Sequence, residues 1–258
     1  MIATDQEVHI DSAEIEEFRK RGCIVRKGAL PAEMVRAAAP ALRAYVNAKR
    51  EAISEEDRAC GASTSETTFS LADAPPDVAE FVTSPYLGEI AARFLEVDAV
   101  RVFHFVGFFK EAGGPATPLH QDLTYVPLNT DRFVSIWIPL ADVTEEMGSL
   151  VFAEGSHLGG ALKDPSEAFR FKIMRNPPMK VGDISMHIGW TVHGALKNMS
   201  DQMREAFVIA YYADGARIEV RGEVRFMQTL MKDYFAGLQP GDIAASPMNP
   251  VVYRSNGA

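Results

Sequence analysis

Cysteine is scarce: the 258 residues hold two, Cys23 and Cys60, and they do not form a C-x-x-C pair. That excludes a disulfide framework and a thiolate zinc site, and it suits a reducing compartment in which both are plain thiols. No apolar run approaches the ~20 residues that a membrane-spanning helix needs. The opening stretch MIATDQEVHIDSAEIEEF has neither the basic start nor the apolar h-region of a secretion signal. A cytoplasmic protein with no membrane partner is the expectation. An excess of positive charge is missing as well. Lys and Arg number 26 against 35 Asp and Glu, a formal net charge of −9. Nucleic-acid binding calls for the opposite balance, a basic surface that replaces counterions. There is no G-x-S-x-G elbow, no phosphate loop, no G-x-G-x-x-G fingerprint and no H-E-x-x-H helix, so the common hydrolase, nucleotide-binding and zinc-peptidase readings find no footing.

What is present is ordinary globular composition, 47% apolar and 24% charged, at a length that one large domain over 1–258 can fill. Residues 1–99 read as mostly helical support. Asp11 and Glu14 have capping-box spacing ahead of Ile15 and Phe18. Pro31 opens a second helix with Met34, Val35, Ala38, Leu42, Tyr45 and Val46 on one face and Pro40 as a kink. Residues 54–76 are irregular and could border a site. Ser84-Pro85 starts a third helix. From Val100 the pattern changes: VRVFHFVGFFK is apolar on both faces, as in a strand covered on both sides. Further strands are expected at 118–125, 132–140, 149–153, 181–187, 190–196 and 204–213, with turn signals between them. Residues 100–222 thus form a β core, and 223–258 a C-terminal helix (223–238, over the barrel mouth) and tail. The fold class is mainly β with flanking α, a sandwich, barrel or jelly roll with helices packed outside.

His120-Gln121-Asp122 carries the sharpest chemical signal. Strand residues two apart point to the same face, so an imidazole and a carboxylate can converge on one metal ion. His193, within GDISMHIGWTVHGALKN, is the best candidate for a third ligand. Two His and one carboxylate leave an open metal face that suits Fe(II) oxygen chemistry. KNMSDQ (197–202) reads as a turn, so strands 190–196 and 204–213 should form a hairpin. Arg204 then has Ala206, Val208 and Ala210 on its face. Either it enters the cavity, where it needs an anion such as a dicarboxylate, or it faces solvent beside Asp201 and Glu205. Other side chains have plainer readings: His187 a rival ligand or a pocket residue, His104 a core or pocket residue, His157 loop-stabilising, His9 solvated. Trp190 and Tyr125 are core or cavity aromatics, and Glu145-Glu146 a solvated turn.

Two blocks, TPLHQDLTYVPLNTDRFVSIWIPLADVTEEMGSLVFAEGSH (117–157) and GDISMHIGWTVHGALKNMSDQMREAFVIAYYADGAR (182–217), resemble the phytanoyl-CoA dioxygenase family of Fe(II)/2-oxoglutarate oxygenases. The matching features are H-Q-D, W-x-x-L, M-G-x-L, G-S-H, G-D, V-H-G, Asn and the downstream Arg, in the family's order. The resemblance implies a double-stranded β-helix, a jelly roll related to the cupins. It implies Fe(II) held by His120, Asp122 and His193. Arg204, eleven residues after His193, would hold the far carboxylate of 2-oxoglutarate, and Trp137 would line the cosubstrate pocket. Ala195 departs from a frequent family Ser that helps hold the cosubstrate, and Met186-His187 from a usual apolar or aromatic pair. Halogenating relatives carry Gly or Ala in place of Asp122, so oxidation of a C–H bond by O₂, with release of succinate and CO₂, is the implied reaction. The expected partner is a small molecule, a natural product or metabolite, with acyl-CoA hydroxylation and a catalytically silent metal- or ligand-binding jelly roll as alternatives.

Overall fold

Alternating inward and outward side chains sort the strands into two facing antiparallel sheets in this computed structural model, which describes residues 7–54, 66–162, 164–221 and 225–255. Among the described residues five α-helices flank them: α1 (Ser12–Arg21), α2 (Ala32–Glu51), α3 (Pro76–Val82), α4 (Pro85–Leu95) and α5 (Arg225–Tyr234). The strands are β1 (Cys23–Arg26), β2 (Glu66–Phe69), β3 (Ala99–Lys110), β4 (Thr117–His120), β5 (Phe133–Pro139) and β6 (Leu150–Ala153). They continue with β7 (Ile173–Arg175), β8 (Ile184–Ile188), β9 (His193–Ala195), β10 (Arg204–Ala213) and β11 (Val251–Arg254). Among the described residues the larger sheet has the order β1-β8-β5-β10-β3-β11, with β2 also on β3, and the smaller β4-β9-β6-β7. This is the jelly-roll arrangement the resemblance implied.

The strand period decides what each face meets. On β10, Phe207, Ile209 and Tyr211 join Val134, Ile136 and Ile138 of β5 and Ile184 and Met186 of β8 in one apolar layer. That layer packs against Val35, Leu42 and Val46 of α2 and Leu87, Ile90 and Phe94 of α4. Burying each such side chain contributes ~1.5–3 kcal/mol. The opposite faces carry Ala206, Val208, Trp137 and Val106, which form a second cluster between the sheets with Leu150 and Phe152. The N-cap of α1 is the expected capping box, Asp11 with Glu14. Pro40 lies inside α2 without ending it.

Several expectations need correction. The N-terminal region is not only helical: β1 joins β8, and β2 joins β3. The tail adds β11 on β3. The strand expected at 118–125 stops at His120, and Asp122–Thr124 form a 3₁₀ turn. Strands β9 and β10 do not form a hairpin. They belong to different sheets, β9 pairing with β4 and β6, and β10 with β3 and β5. Asn198 is the reason. Its Nδ2 lies 3.1, 2.9 and 2.7 Å from the carbonyls of Lys110, Glu111 and Gln202, and its Oδ1 accepts from Ser200 N. The 197–202 run is thereby pinned as a corner between sheets rather than a fold-back. Residues 55–65 of the irregular segment, with Cys60, lie outside the described residues, as do 223–224 of the expected C-terminal helix. Cys23 is a buried free thiol whose pKa burial pushes up to about 12. No helix among the described residues is long and apolar enough to cross a membrane.

Gly107 sets how closely α2 approaches the sheet, since a Cβ there would sit 2.5 Å from Val46 Cγ2 and 2.9 Å from Val46 Cγ1. Val46 is β-branched and cannot rotate away cheaply. Gly107→Ala is therefore expected to destabilise the fold by about 1–3 kcal/mol, as overpacking does. The readout is the urea midpoint; an unchanged midpoint would mean that α2 is free to shift.

Candidate metal centre

Gln121 continues the extended backbone of β4 by one residue, with φ −123° and ψ 126°. His120 and Asp122 therefore share a side even though Asp122 already begins the 3₁₀ turn. Gln121 points the other way. Its Nε2 donates to the carbonyls of Gly160 (2.9 Å) and Trp190 (2.6 Å), and its Oε1 accepts from Leu162 N (2.8 Å). The central residue of H-Q-D thus ties down the turn that leads to His193.

His193 opens β9 directly opposite His120 in the β4–β9 ladder. Ser156 of the G-S-H turn accepts from Val192 N at 2.8 Å, and Thr191 Oγ1 donates to Gly22 O at 2.7 Å. At Gly194 a Cβ would lie 2.7 Å from Thr117 O, so only glycine lets the two strands close this tightly. These contacts give the V-H-G and G-S-H motifs a mechanical meaning.

One ligand atom each from His120, Asp122 and His193 lies within 4.8 Å of the others. Asp122 Oδ1 is 3.5 Å from Nε2 of both histidines. His120 Nδ1 is 2.9 Å from Pro118 O, and His193 Nδ1 is 3.0 Å from Thr191 O. A carbonyl only accepts, so each Nδ1 carries the proton and each Nε2 keeps its lone pair for a cation. The second oxygen of Asp122 is held separately: Ser135 Oγ donates to Oδ2 at 2.7 Å, and His187 Nε2 lies 3.0 Å from it. Ser135 and His187 are direct partners in the β5–β8 ladder.

Three imidazoles around one carboxylate set its charge. Burial alone would raise the Asp122 pKa, but the interactions with His193, His120 and His187 outweigh it and hold the carboxyl well below its usual range. Burial lowers the His120 pKa, but the hydrogen bond and charge of Asp122 outweigh it and raise it, so that a proton on this imidazole competes with a metal ion. Burial, then the His187 and His120 charges, push His193 well below the ordinary histidine value, leaving its imidazole neutral. A neutral imidazole and an ionised carboxylate are the forms that bind a metal.

Arg204 enters the interior, which resolves its two sequence readings. It is 1% exposed. One guanidinium nitrogen donates to Gly148 O, and its Cζ lies 5.6 Å from the Trp137 ring. Its Nε has no hydrogen-bond partner, and neither do Trp137 Nε1 and Ser185 Oγ. No carboxylate among the described residues pairs with the guanidinium, and burial pulls its pKa down to about 10. A buried cation beside unsatisfied polar atoms is costly unless an anion completes it. The donor set at one end and the uncompensated guanidinium at the other fit a divalent metal with an acidic, polar chelating ligand between them.

Sequence reasoning missed Ser135 and Ser185 and left His187 open. The available signal was a polar residue on the inward face of an apolar strand, two positions from Trp137 in one case and from His187 in the other. His104 sits at a β-bulge, where the β3–β10 register slips between Ile209 and Tyr211. Its Nδ1 is buried without a partner, and burial pushes its pKa down to about 4 against the Asp122 charge. The remaining candidates stand apart from the centre. Trp190 Nε1 donates to Asp131, His157 Nε2 meets Arg19 O, and Tyr125, Glu145, Glu146 and His9 are exposed.

A family model described as phytanoyl-CoA dioxygenase matches residues 18–206. The phytanoyl-CoA dioxygenase domain-containing protein 1 of Bos taurus is 31% identical over 147 residues, 49% of this chain and 50% of that protein. The chain thus spans about half the length of the curated relatives it matches. Among solved structures, the non-haem α-ketoglutarate-dependent carbocyclase SnoK from nogalamycin biosynthesis superposes with TM-score 0.76 at 23% identity, covering 94% of this chain and 96% of that one. EctD from S. alaskensis, with 2-oxoglutarate and 5-hydroxyectoine, superposes with TM-score 0.70 at 20% identity over 87% and 85% of the two chains.

The grip of His187 on Asp122 makes a direct prediction. His187→Leu should weaken Co(II) binding about 10–100-fold, the usual effect of losing a partner that orients a ligand. Isothermal titration calorimetry reads it, and an unchanged affinity would mean that Ser135 alone fixes the carboxylate.

Proposed function

Because the chain belongs to the phytanoyl-CoA dioxygenase family, we propose that it is an Fe(II)- and 2-oxoglutarate-dependent dioxygenase that oxidises a C–H bond of a small molecule. The carrying observation is one interior with two unlike ends: a His-Asp-His triad with both Nε2 atoms turned on one carboxylate oxygen, and a buried guanidinium with no carboxylate partner among the described residues. In this reading His120, Asp122 and His193 hold Fe(II), Arg204 holds the far carboxylate of 2-oxoglutarate, and Trp137 walls the space between. Bound Fe(II) with 2-oxoglutarate supplies O₂ activation, with succinate and CO₂ as coproducts.

The chain's own residues set the conditions. Pro118 O and Thr191 O fix the tautomers of the two histidines. Ser135 and His187 hold Asp122 Oδ2, which would leave Oδ1 for the metal and keep other coordination positions open. Trp137, Val208, Val106 and Phe152 exclude water around the site. Asp122 retains the carboxylate that halogenating relatives lack, which supports hydroxylation or another C–H oxidation. A natural product or metabolite suits the net charge of −9 better than the polyanionic acyl-CoA, and the SnoK likeness supports the same class.

Purified protein with Fe(II), 2-oxoglutarate and air is expected to form succinate. Absence of succinate with metal bound would favour a silent ligand-binding jelly roll. Arg204→Ala should raise the 2-oxoglutarate concentration for half-maximal succinate formation about 10–100-fold, the worth of a charged hydrogen-bonded contact. The Fe(II) requirement should stay as it was; an equal rise in both would contradict the assigned role.

A further inference from the structure

Resting on the cosubstrate reading above, we propose that Lys110 and Thr117 complete the seat for the far carboxylate of 2-oxoglutarate, taking the place of the hydroxyl that Ala195 lacks. Two ladders bring these residues to one end of the interior. Lys110 is the direct partner of Arg204 in the β3–β10 pair, and Thr117 is the direct partner of Ala195 in the β4–β9 pair. Directly opposed residues of an antiparallel pair point to the same side. Lys110 therefore lies on the Arg204 side of its sheet, and Thr117 on the Ala195 side of the other. Ala195 is buried in the inter-sheet cluster with Trp137 and Val208.

The side chains meet across the gap. Lys110 Nζ lies 3.4 Å from Thr117 Oγ1 and donates to Leu196 O at 2.9 Å. An ammonium has three donors, so these contacts leave one to be met. Lys110 is 3% exposed and Arg204 1%. No carboxylate among the described residues pairs with either. Burial, then the Arg204 charge, pull the Lys110 pKa down to about 8, as expected for neighbouring cations without an anion between them. Two buried like charges side by side are tolerated when an anion bridges them. A monoacid would supply its charge at the metal and nothing here, whereas a dicarboxylate reaches both ends. The pair of cations would thus select the diacid.

The test uses the full chain loaded with Fe(II) under anaerobic conditions, with 2-oxoglutarate and 2-oxopentanoate titrated by calorimetry. The second acid keeps the chelating end and chain length but carries a methyl in place of the far carboxylate. Lys110→Met should weaken 2-oxoglutarate binding about tenfold or more, leave 2-oxopentanoate binding unchanged, and be largely rescued by Lys110→Arg. Thr117→Val should shift the same ratio in the same direction by a smaller factor, and it keeps the test valid if Lys110→Met folds poorly. Wild-type affinity for 2-oxoglutarate in both Lys110→Met and Thr117→Val would overturn the proposal. So would an equal loss for both acids, the mark of a purely structural lysine. Failure of the wild-type protein to bind 2-oxoglutarate would instead bring down the cosubstrate reading, and this inference with it.

Discussion

Asp122 gives its two oxygens different tasks, and much of the interior is arranged around that division. Oδ1 stands 3.5 Å from two imidazole nitrogens, while Oδ2 is held by Ser135 and His187. A half-buried carboxylate in such surroundings would ordinarily have its pKa raised. Here the surrounding groups keep it charged, and they do so from both sheets: the His120 and His193 rings beside Oδ1 from the smaller, Ser135 and His187 at Oδ2 from the larger. The two sheets must therefore approach closely, and within the smaller sheet Gly194 of β9 admits the backbone of β4. At Gly189 a Cβ would meet Leu123, the residue after Asp122, at 2.6 Å.

The same interior carries charge of the opposite sign at its far end. Strand alternation on β10 puts Phe207, Ile209 and Tyr211 into the layer beneath the helices and turns Arg204 inward with Ala206 and Val208. The apolar layer between the larger sheet and its helices supplies the stabilisation, which leaves the inner face free to carry groups that are costly in isolation. Trp137 Nε1, Ser185 Oγ and Arg204 Nε, all buried and without partners, belong to that inner face. In the proposed reading these unsatisfied atoms are where the cosubstrate completes the protein.

Much of this was legible in the sequence. H-x-D spacing singled out His120 and Asp122, and the resemblance carried by V-H-G singled out His193; the structure brings the three together, and β10 was bounded correctly at 204–213. What was not legible depended on partners distant in sequence. β1 and β2 are short strands of four residues whose pairing is decided by β8 and β3. The corner at 197–202 looked like a hairpin turn because its composition is that of a turn; Asn198 acts through carbonyls almost ninety positions away. Asp122 keeps the facing that a strand would give it, although the strand ends earlier, because Gln121 stays extended. The role of His187 could not be read from its own segment, since its partner lies 65 residues upstream.

The central claim is that one ferrous ion and one 2-oxo diacid meet between the triad and Arg204. Anaerobic absorption spectroscopy tests it most directly, because chelation of Fe(II) by a 2-oxo acid gives a visible charge-transfer band. The account predicts that band at one equivalent of each component in the wild-type protein, and its loss in His193→Ala. A wild-type protein that takes up Fe(II) yet shows no band with 2-oxoglutarate, or a His193→Ala variant that keeps the band, would contradict it.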